Sequence, residues 1–453
     1  MREEHPQQYF ETRVEVAGDP LAVATRLAET GPHGDYVLYE NDRQWCYAGG
    51  VLAEVRVDRN GAELHGAVEA RLPWQDQPLM QVRDLLATVP VHGWRAYGWA
   101  SFELSYARNG GRRHLNDQRL LHLLVPRSEV RLSAGQAHVR SVDLATLTEL
   151  VDLITNPVDL PVLRAEPVDV RCTGRDSFCA CVRRAIDDIT AHRLQKVILS
   201  RVVEVDYAID LVATYLLGRR ANTPARSFLL SMDGLDAAGF SPEVVASVTA
   251  DGRVVSQPLA GTRAFSADAA ENALRRADLL SSPKEIYEHA ISVKVGNDEL
   301  CTVCQAGSVQ VRDLMTVQER GTVQHLASQV TGQLSSGYAA WDAFAAVFPA
   351  VTGSGVPKEA AYVAIRRYET EPRGLYSGAV LTVDQSGALD AALVLRSVYR
   401  QAGRTWLRAG AGIVSQSEPD REFEETCEKL DSVARFLVPC ANQKTMGKEH
   451  ISK

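Results

Sequence analysis

The sequence predicts a fold in which strands and helices are interspersed along one large chain. Three observations carry that expectation. Short apolar runs are broken by turn residues up to about residue 150, a helical period changes to a period of two after Asp176, and two helical segments farther on carry acidic stripes. A period near 3.6 collects residues on one helix face, whereas a period of two lines one face of a strand.

In chain order, YVLYEND, HGWRAYGWASFELSY and LLHLLVPRSEVRLS read as strands with interspersed helices. The Pro-rich TNPVDLPVLRAEPVDV follows; composition does not change across it, so it reads as a surface crossing within one domain rather than as a linker. From Asp176, Phe178, Val182, Ile186 and Ile189 share a helix face, and KVILSRVVEV then alternates, with Lys196, Ile198, Ser200 and Val202 on one side. A lysine in such a register is ordinarily a strand-end residue whose ammonium reaches water. KEIYEHAISVKV, after Ser281-Ser282-Pro283, predicts a helix with Ile286, Ala290 and Val293 inward and Glu285 and Glu288 on an adjoining face. In the last long helix Ser417 and Asp420 form a variant capping box. Phe423, Cys427, Leu430, Ala434 and Leu437 make its apolar stripe, Glu422, Glu425 and Lys429 lie beside them, and Pro439 is expected to end it. Taken alone, each acidic pair is ordinarily a solvated helix face.

With 453 residues and 45% apolar side chains, packing alone can stabilise the fold. We expect one domain over 1–440, comprising an N-terminal part (1–165) and a motif-bearing part (166–440), with a polar tail at 441–453. A net charge of -8 leaves no basic surplus for a phosphate backbone, so nucleic acid is not an expected partner. No stretch has the roughly 20 apolar residues of a membrane span, and MREEHPQQYFETRVEV lacks a signal-peptide core, so a cytoplasmic location is expected. The eight cysteines are scattered, as suits reduced thiols. A zinc or thiol-redox module on Cys301-x-x-Cys304, joined by Cys179 and Cys181, lacks a recognised finger spacing.

Two glycine devices stand out. PLAGTRAF places Gly261 and Thr262 where backbone can approach a ligand, and RAGAGIV repeats this with Gly410 and Gly412. TGSGVPK lacks the spacing of a phosphate loop. In order, the chain carries KVILSR, GFSPEVVASV, PLAGTR, SPKEIYEHAISV, VQHL, FPAVTGSGVPK, RGLYSGAV, ALVLRS, RAGAGIV and EFEETCEKL. In these motifs, from about Asp176 to Val438, it resembles the chorismate-utilising enzymes, and within them the salicylate synthases of siderophore pathways. The first 150 residues match loosely, chiefly around RAYGWASFELSY. Gln257 stands where the family usually has an acidic residue, and the glycines of TGSG depart from the commonest wording.

The resemblance implies an α+β fold with two large, mostly antiparallel sheets packed as a sandwich, helices outside and the active site at one end. It implies a magnesium-dependent conversion of chorismate to isochorismate, in which water adds at one ring carbon while hydroxide leaves from another. A base and an acid are then needed on opposite sides of the ring. The matching positions are Lys196 and Glu243. A lysine acts as base only when neutral, and burial disfavours its charged form. The implied metal ligands are Glu285, Glu288, Glu422 and Glu425, with Glu288 and Glu425 the first choice; oxygen-only donors suit magnesium over zinc. Arg396, Tyr376, Gly410, Gly412 and Lys429 match substrate-binding positions, as do Gly261, Thr262, His325 and Thr352. Anthranilate and aminodeoxychorismate synthases usually carry glutamine in place of Lys196 and take ammonia from a glutaminase, so water as nucleophile and no glutaminase subunit are expected here. Thr352 and the FPAVT and SGVPK wording look more like salicylate synthases, which also eliminate pyruvate, than like isochorismate synthases that release the first product. A non-catalytic chorismate-fold protein is disfavoured by the presence of every proposed catalytic group, and a monomer is expected.

Overall fold

The computed structural model describes residues 8–107, 111–156 and 162–440, so the tail expected at 441–453 lies outside the described residues. Two long strands, Gln44–Asp58 and Leu121–Ser133, organise the rest. They pair along most of their length, with a register shift between Val51 and Ala53 where Val51 faces Pro126. A bulge bends its strand, and a proline supplies no N–H to the ladder there.

One arm of the sheet grows from each side of that bend. The first runs through Tyr36–Asn41, Arg226–Met232, Leu235–Ser241, Ser397–Gln401 and Arg404–Ile413 to Lys196–Glu204 and Gly355–Val356. The second runs through Arg95–Ala100, Ala379–Asp384, Leu389–Leu393, Val244–Val248 and Arg253–Ser256 to Val323–Gln333, which also pairs with Leu259–Ala264 and Gln310–Arg320. These pairings are all antiparallel. The two layers are therefore the arms of one 21-stranded sheet folded on itself, joined through the shared long strands.

Period-two alternation sorts the side chains between two cores. Val37, Tyr39, Phe228 and Leu230 of the first arm meet Tyr97, Val380 and Ala392 of the second in the layer between them. Their neighbours Leu38, Leu229, Leu381 and Leu393 point outward into the core beneath the helices. Both faces are covered, so these strands read as nearly continuous apolar runs, and each large side chain buried contributes about 1.5–3 kcal/mol over exposure.

The helices correct three expectations. In the helix Pro283–Cys301, Ala290 is exposed and Ile286 half-buried, whereas Glu285, Glu288, His289, Ser292, Val293, Gly296 and Leu300 are buried. That face packs on Leu259–Ala264 and Val323–Gln333, whose polar side chains supply partners that an apolar stripe would lack. The last helix spans Pro419–Ala434 and has no side-chain cap at Glu418; Ser417 instead accepts from the Val414 N–H at 3.1 Å. The N-cap is therefore Glu418, one residue after Ser417, so Ser417 and Asp420 do not occupy the N-cap and N3 positions that a capping box requires. The helix ends at Ala434, ahead of Pro439, which makes a bridge to Ile209. The apolar stripe of this helix is buried as expected. No helix among the described residues is long and apolar enough to cross a membrane, and all eight cysteines are free thiols.

Candidate active site

The chain passes between the arms at two short connections, and each delivers a polar side chain to the interior. Glu243 lies between Leu235–Ser241 of the first arm and Val244–Val248 of the second; Arg396 lies between Leu389–Leu393 and Ser397–Gln401. Strands that change layer leave backbone groups without a ladder partner. The Ser241 hydroxyl meets one such need by donating to the Leu393 carbonyl at 2.5 Å. Arg396 sits at φ 53°, a left-handed conformation that a non-glycine residue adopts only when its surroundings hold it there.

The two side chains face a cavity of about 50 Å³, room for only a few water molecules. Its walls include Glu243, Glu288, Thr352, Tyr376, Arg396 and Lys429, and Gly261, Thr262, His325, Gly410 and Gly412 complete the predicted set that reaches it. Larger cavities of 380 and 710 Å³ lie elsewhere and contain none of the predicted residues.

Glu243 is buried, and burial pushes its carboxyl up to about 8 against the opposing hydrogen bonds from Thr352 and Leu259 and the charge of Lys196. It accepts from the Leu259 N–H at 3.2 Å and from the Thr352 hydroxyl. At neutral pH this carboxyl holds a proton and can donate it. Lys196 begins the strand Lys196–Glu204 but does not reach water: it is fully buried, donating to Ser292 Oγ at 2.9 Å and pairing with Glu288 Oε1 at 3.1 Å. It does not line the cavity itself and stands behind Glu288, which does.

His325 links the glycine turn to the arginine. Its Nδ1 lies 3.2 Å from the Gly261 carbonyl and 3.1 Å from Thr262 Oγ1. A carbonyl only accepts, so Nδ1 carries the proton and Nε2 accepts from Arg396 Nη2 at 3.0 Å. Burial and the adjacent guanidinium hold the ring well below its ordinary titration range, so it is neutral. Burial also lowers Arg396, to about 10, which leaves it cationic at neutral pH. Arg396 thus presents a positive, oriented group to an anion.

Glycine is required where the walls approach most closely. A Cβ on Gly412 would fall 2.0 Å from Glu288 Oε1, and one on Gly410 would fall 2.6 Å from the Leu199 carbonyl and 2.8 Å from the Tyr376 hydroxyl. Gly261 has φ +82°, and a Cβ there would press on the Glu285 side chain. Lys429 donates to the Gly410 carbonyl at 2.9 Å and pairs with Glu425 at 2.7 Å.

Beneath the cavity, the helices Pro283–Cys301 and Pro419–Ala434 bring Glu285, Glu288, Glu422 and Glu425 together, all nearly inaccessible to solvent. In each, Oε2 has no hydrogen-bond partner. Arg263 pairs with Glu285 at 2.8 Å. Burial pushes Glu285 up, and Glu422 to about 7; for Glu288 and Glu425 burial is outweighed by adjacent lysines, which hold both below the usual carboxylate range. Four buried carboxylates, each with an oxygen that accepts no hydrogen bond, fit a hard divalent cation by donor type. As placed, however, no three His, Cys, Asp or Glu among the described residues form a convergent ligand group. The ammonium of Lys284 stands among them.

Sequence reasoning missed several contributors. Lys284 appeared only as a letter of SPKEIYEH, although its i,i+4 spacing to Glu288 was visible. His289 bonds Ser328 at 2.7 Å, and Ser292 receives Lys196; both lie with Glu285 and Glu288 on the buried face of the helix, away from the Ile286 and Ala290 side expected to point inward. Arg408 lines the cavity and is held by Glu369 at 2.7 Å, a carboxylate distant in sequence that no local pattern exposes.

The fold and this convergence of motifs define the class: the chain belongs to the chorismate binding enzyme family, which it matches over residues 34–435. It is 41% identical over 426 residues to a salicylate synthase of Mycolicibacterium paratuberculosis, covering 93% of this chain and 94% of the relative. Anthranilate synthase component I of Streptococcus pneumoniae has a similar structure, with TM-score 0.74, 25% identity and coverage of 87% of this chain and 92% of that chain. The menaquinone-specific isochorismate synthase of Escherichia coli shares the fold, with TM-score 0.72, 20% identity and 96% coverage of each chain.

Proposed function

We propose that this protein is a salicylate synthase that converts chorismate to isochorismate and then eliminates pyruvate. The observation that carries the proposal is the burial of Glu243 on the same cavity that Lys196 approaches through Glu288. In this reading Lys196 first gives up the ammonium proton it holds against Glu288; its neutral amine then takes a proton from the water that adds to the ring, while Glu243 protonates the departing hydroxyl, which leaves as water. Arg396, with Tyr376 and the backbone at Gly410 and Gly412, binds a substrate carboxylate, and His325 fixes the arginine. Burial keeps the Tyr376 phenol protonated, so it serves as a donor. Pyruvate then leaves as a hydrogen passes from the ring to the enolpyruvyl group and the C–O bond breaks. That step needs positioning more than a further base.

Glu285, Glu288, Glu422 and Glu425 would hold Mg²⁺, whose charge neutralises the second substrate carboxylate. The 41% identity to a salicylate synthase over nearly the whole chain supports the second half-reaction. Lys196, where ammonia-using relatives usually have glutamine, supports water as nucleophile and a chain that works without a glutaminase. We place the enzyme in the cytoplasm as a monomer feeding siderophore synthesis.

Incubation with chorismate and Mg²⁺ tests the proposal. Fluorescent salicylate with equimolar pyruvate is expected, and excess chelator should abolish both. Accumulation of isochorismate without pyruvate would show that the enzyme stops at the first product, and conversion that survives the chelator would refute the metal requirement.

A further inference from the structure

Among the cations around the four-glutamate cluster, one is placed differently from the rest. Lys196 reaches Glu288, Lys429 reaches Glu425 and Arg263 reaches Glu285, each approaching from the periphery. Lys284 touches all four carboxylates: its Nζ lies 3.2 Å from Glu288, 3.3 Å from Glu422, 3.5 Å from Glu285 and 3.8 Å from Glu425. It occupies the middle of the acidic group.

We propose that Lys284 is a built-in counter-cation that takes the divalent-metal position in the metal-free enzyme and must swing aside before metal can bind. The inference rests on the metal reading above and adds to it a competitor within the chain. Four buried carboxylates repel one another in a medium of low dielectric and need a central positive charge. A lysine is suited to the part because its ammonium is a point charge on a long flexible stem, able to leave without disturbing the backbone. Magnesium–oxygen bonds are about 2.0–2.1 Å. The present distances are more than 1 Å longer, so a metal ion and this ammonium cannot share the centre. Lys284 also has a way out: it lies in the first turn of Pro283–Cys301, and 14% of its side chain is exposed, against 6% or less for the four glutamates. Two consequences follow. Lys284 lowers the enzyme's affinity for metal, and it lets the metal-free protein fold with its acidic cluster intact.

Two measurements test this on the full-length chain without substrate. The first uses the unaltered protein: reductive methylation of lysines, followed by peptide mass spectrometry, with chelator and with Mg²⁺. Labelling of Lys284 should rise at least severalfold with Mg²⁺ while surface lysines such as Lys294 stay constant; unchanged labelling overturns the proposal. The second titrates Mn²⁺ by electron paramagnetic resonance into the wild type, Lys284→Met and Lys284→Arg. Lys284→Met should bind at least tenfold more tightly than the wild type and show a larger rise in Tm on adding metal, whereas Lys284→Arg should gain nothing. If the wild type binds Mn²⁺ and Lys284→Met binds it equally or more weakly, the proposal fails and the metal site stands. If neither protein binds Mn²⁺, and Glu288→Gln changes nothing, the metal reading fails and takes this inference with it. Should Lys284→Met not fold, the labelling experiment decides alone.

Discussion

Replacing Glu243 with glutamine should remove both a proton donor and a specific dependence of stability on pH. Burial moves this carboxyl from its ordinary 4.5 to about 8. At 1.36 kcal/mol per pH unit, that difference amounts to about 5 kcal/mol. Between those two pH values the folded protein keeps a proton that the unfolded chain has released, so folding binds protons and stability falls as pH rises. The loss begins near pH 4.5 and is complete above pH 8. Glutamine at this position cannot ionise, so the stability of Glu243→Gln relative to wild type should improve by about 4 kcal/mol from pH 5 to pH 9. Urea unfolding of both proteins at pH 5, 7 and 9 measures this directly. A relative change below about 1 kcal/mol would refute the claim that a buried, protonated Glu243 exists in the folded enzyme. The same substitution should lower kcat by about 10²–10⁴-fold, the usual contribution of a positioned acid. The wild-type kcat/KM should decline on the alkaline side around pH 8.

Three further outcomes follow from neighbouring geometry. Thr352→Val removes a hydrogen bond that favours the ionised form of Glu243, so the alkaline limb of the kcat/KM profile should move to higher pH; a shift to lower pH would contradict the assignment. Gly412→Ala places a methyl group 2.0 Å from Glu288 Oε1 and should cost about 1–3 kcal/mol of stability from overpacking, read by urea melts, together with weaker Mn²⁺ binding. Arg396→Lys should reduce kcat/KM about 10–100-fold despite the retained charge, because an ammonium cannot keep the bond to His325 and also grip a carboxylate with two prongs; steady-state kinetics on chorismate would reveal it.

Much of the candidate site was legible because its motifs are local. Gly261, Gly410 and Gly412 announced close approaches, and the ordered motifs carried a family resemblance that led to Glu243, Arg396 and the four glutamates. The helix Pro283–Cys301 shows where this reading stops. Apolar periodicity assumes that the buried face is the apolar one, and it therefore turned Ala290 inward, when the buried face is Glu285, Glu288, His289 and Ser292.

By itself, the sequence determined the alternation of strands and helices, the two acidic helices and the identity of the chemical groups, since these depend on neighbours within a few residues. Only the tertiary structure decided their states and partners. Glu243 meets Thr352 across 109 residues, Arg408 reaches Glu369, Lys196 lies sealed behind Glu288 rather than snorkelling to water, and Lys284 sits amid four carboxylates drawn from two helices. Burial and electrostatic pairing are sums over everything packed around a group, and the folded sheet brings those surroundings from distant parts of the chain.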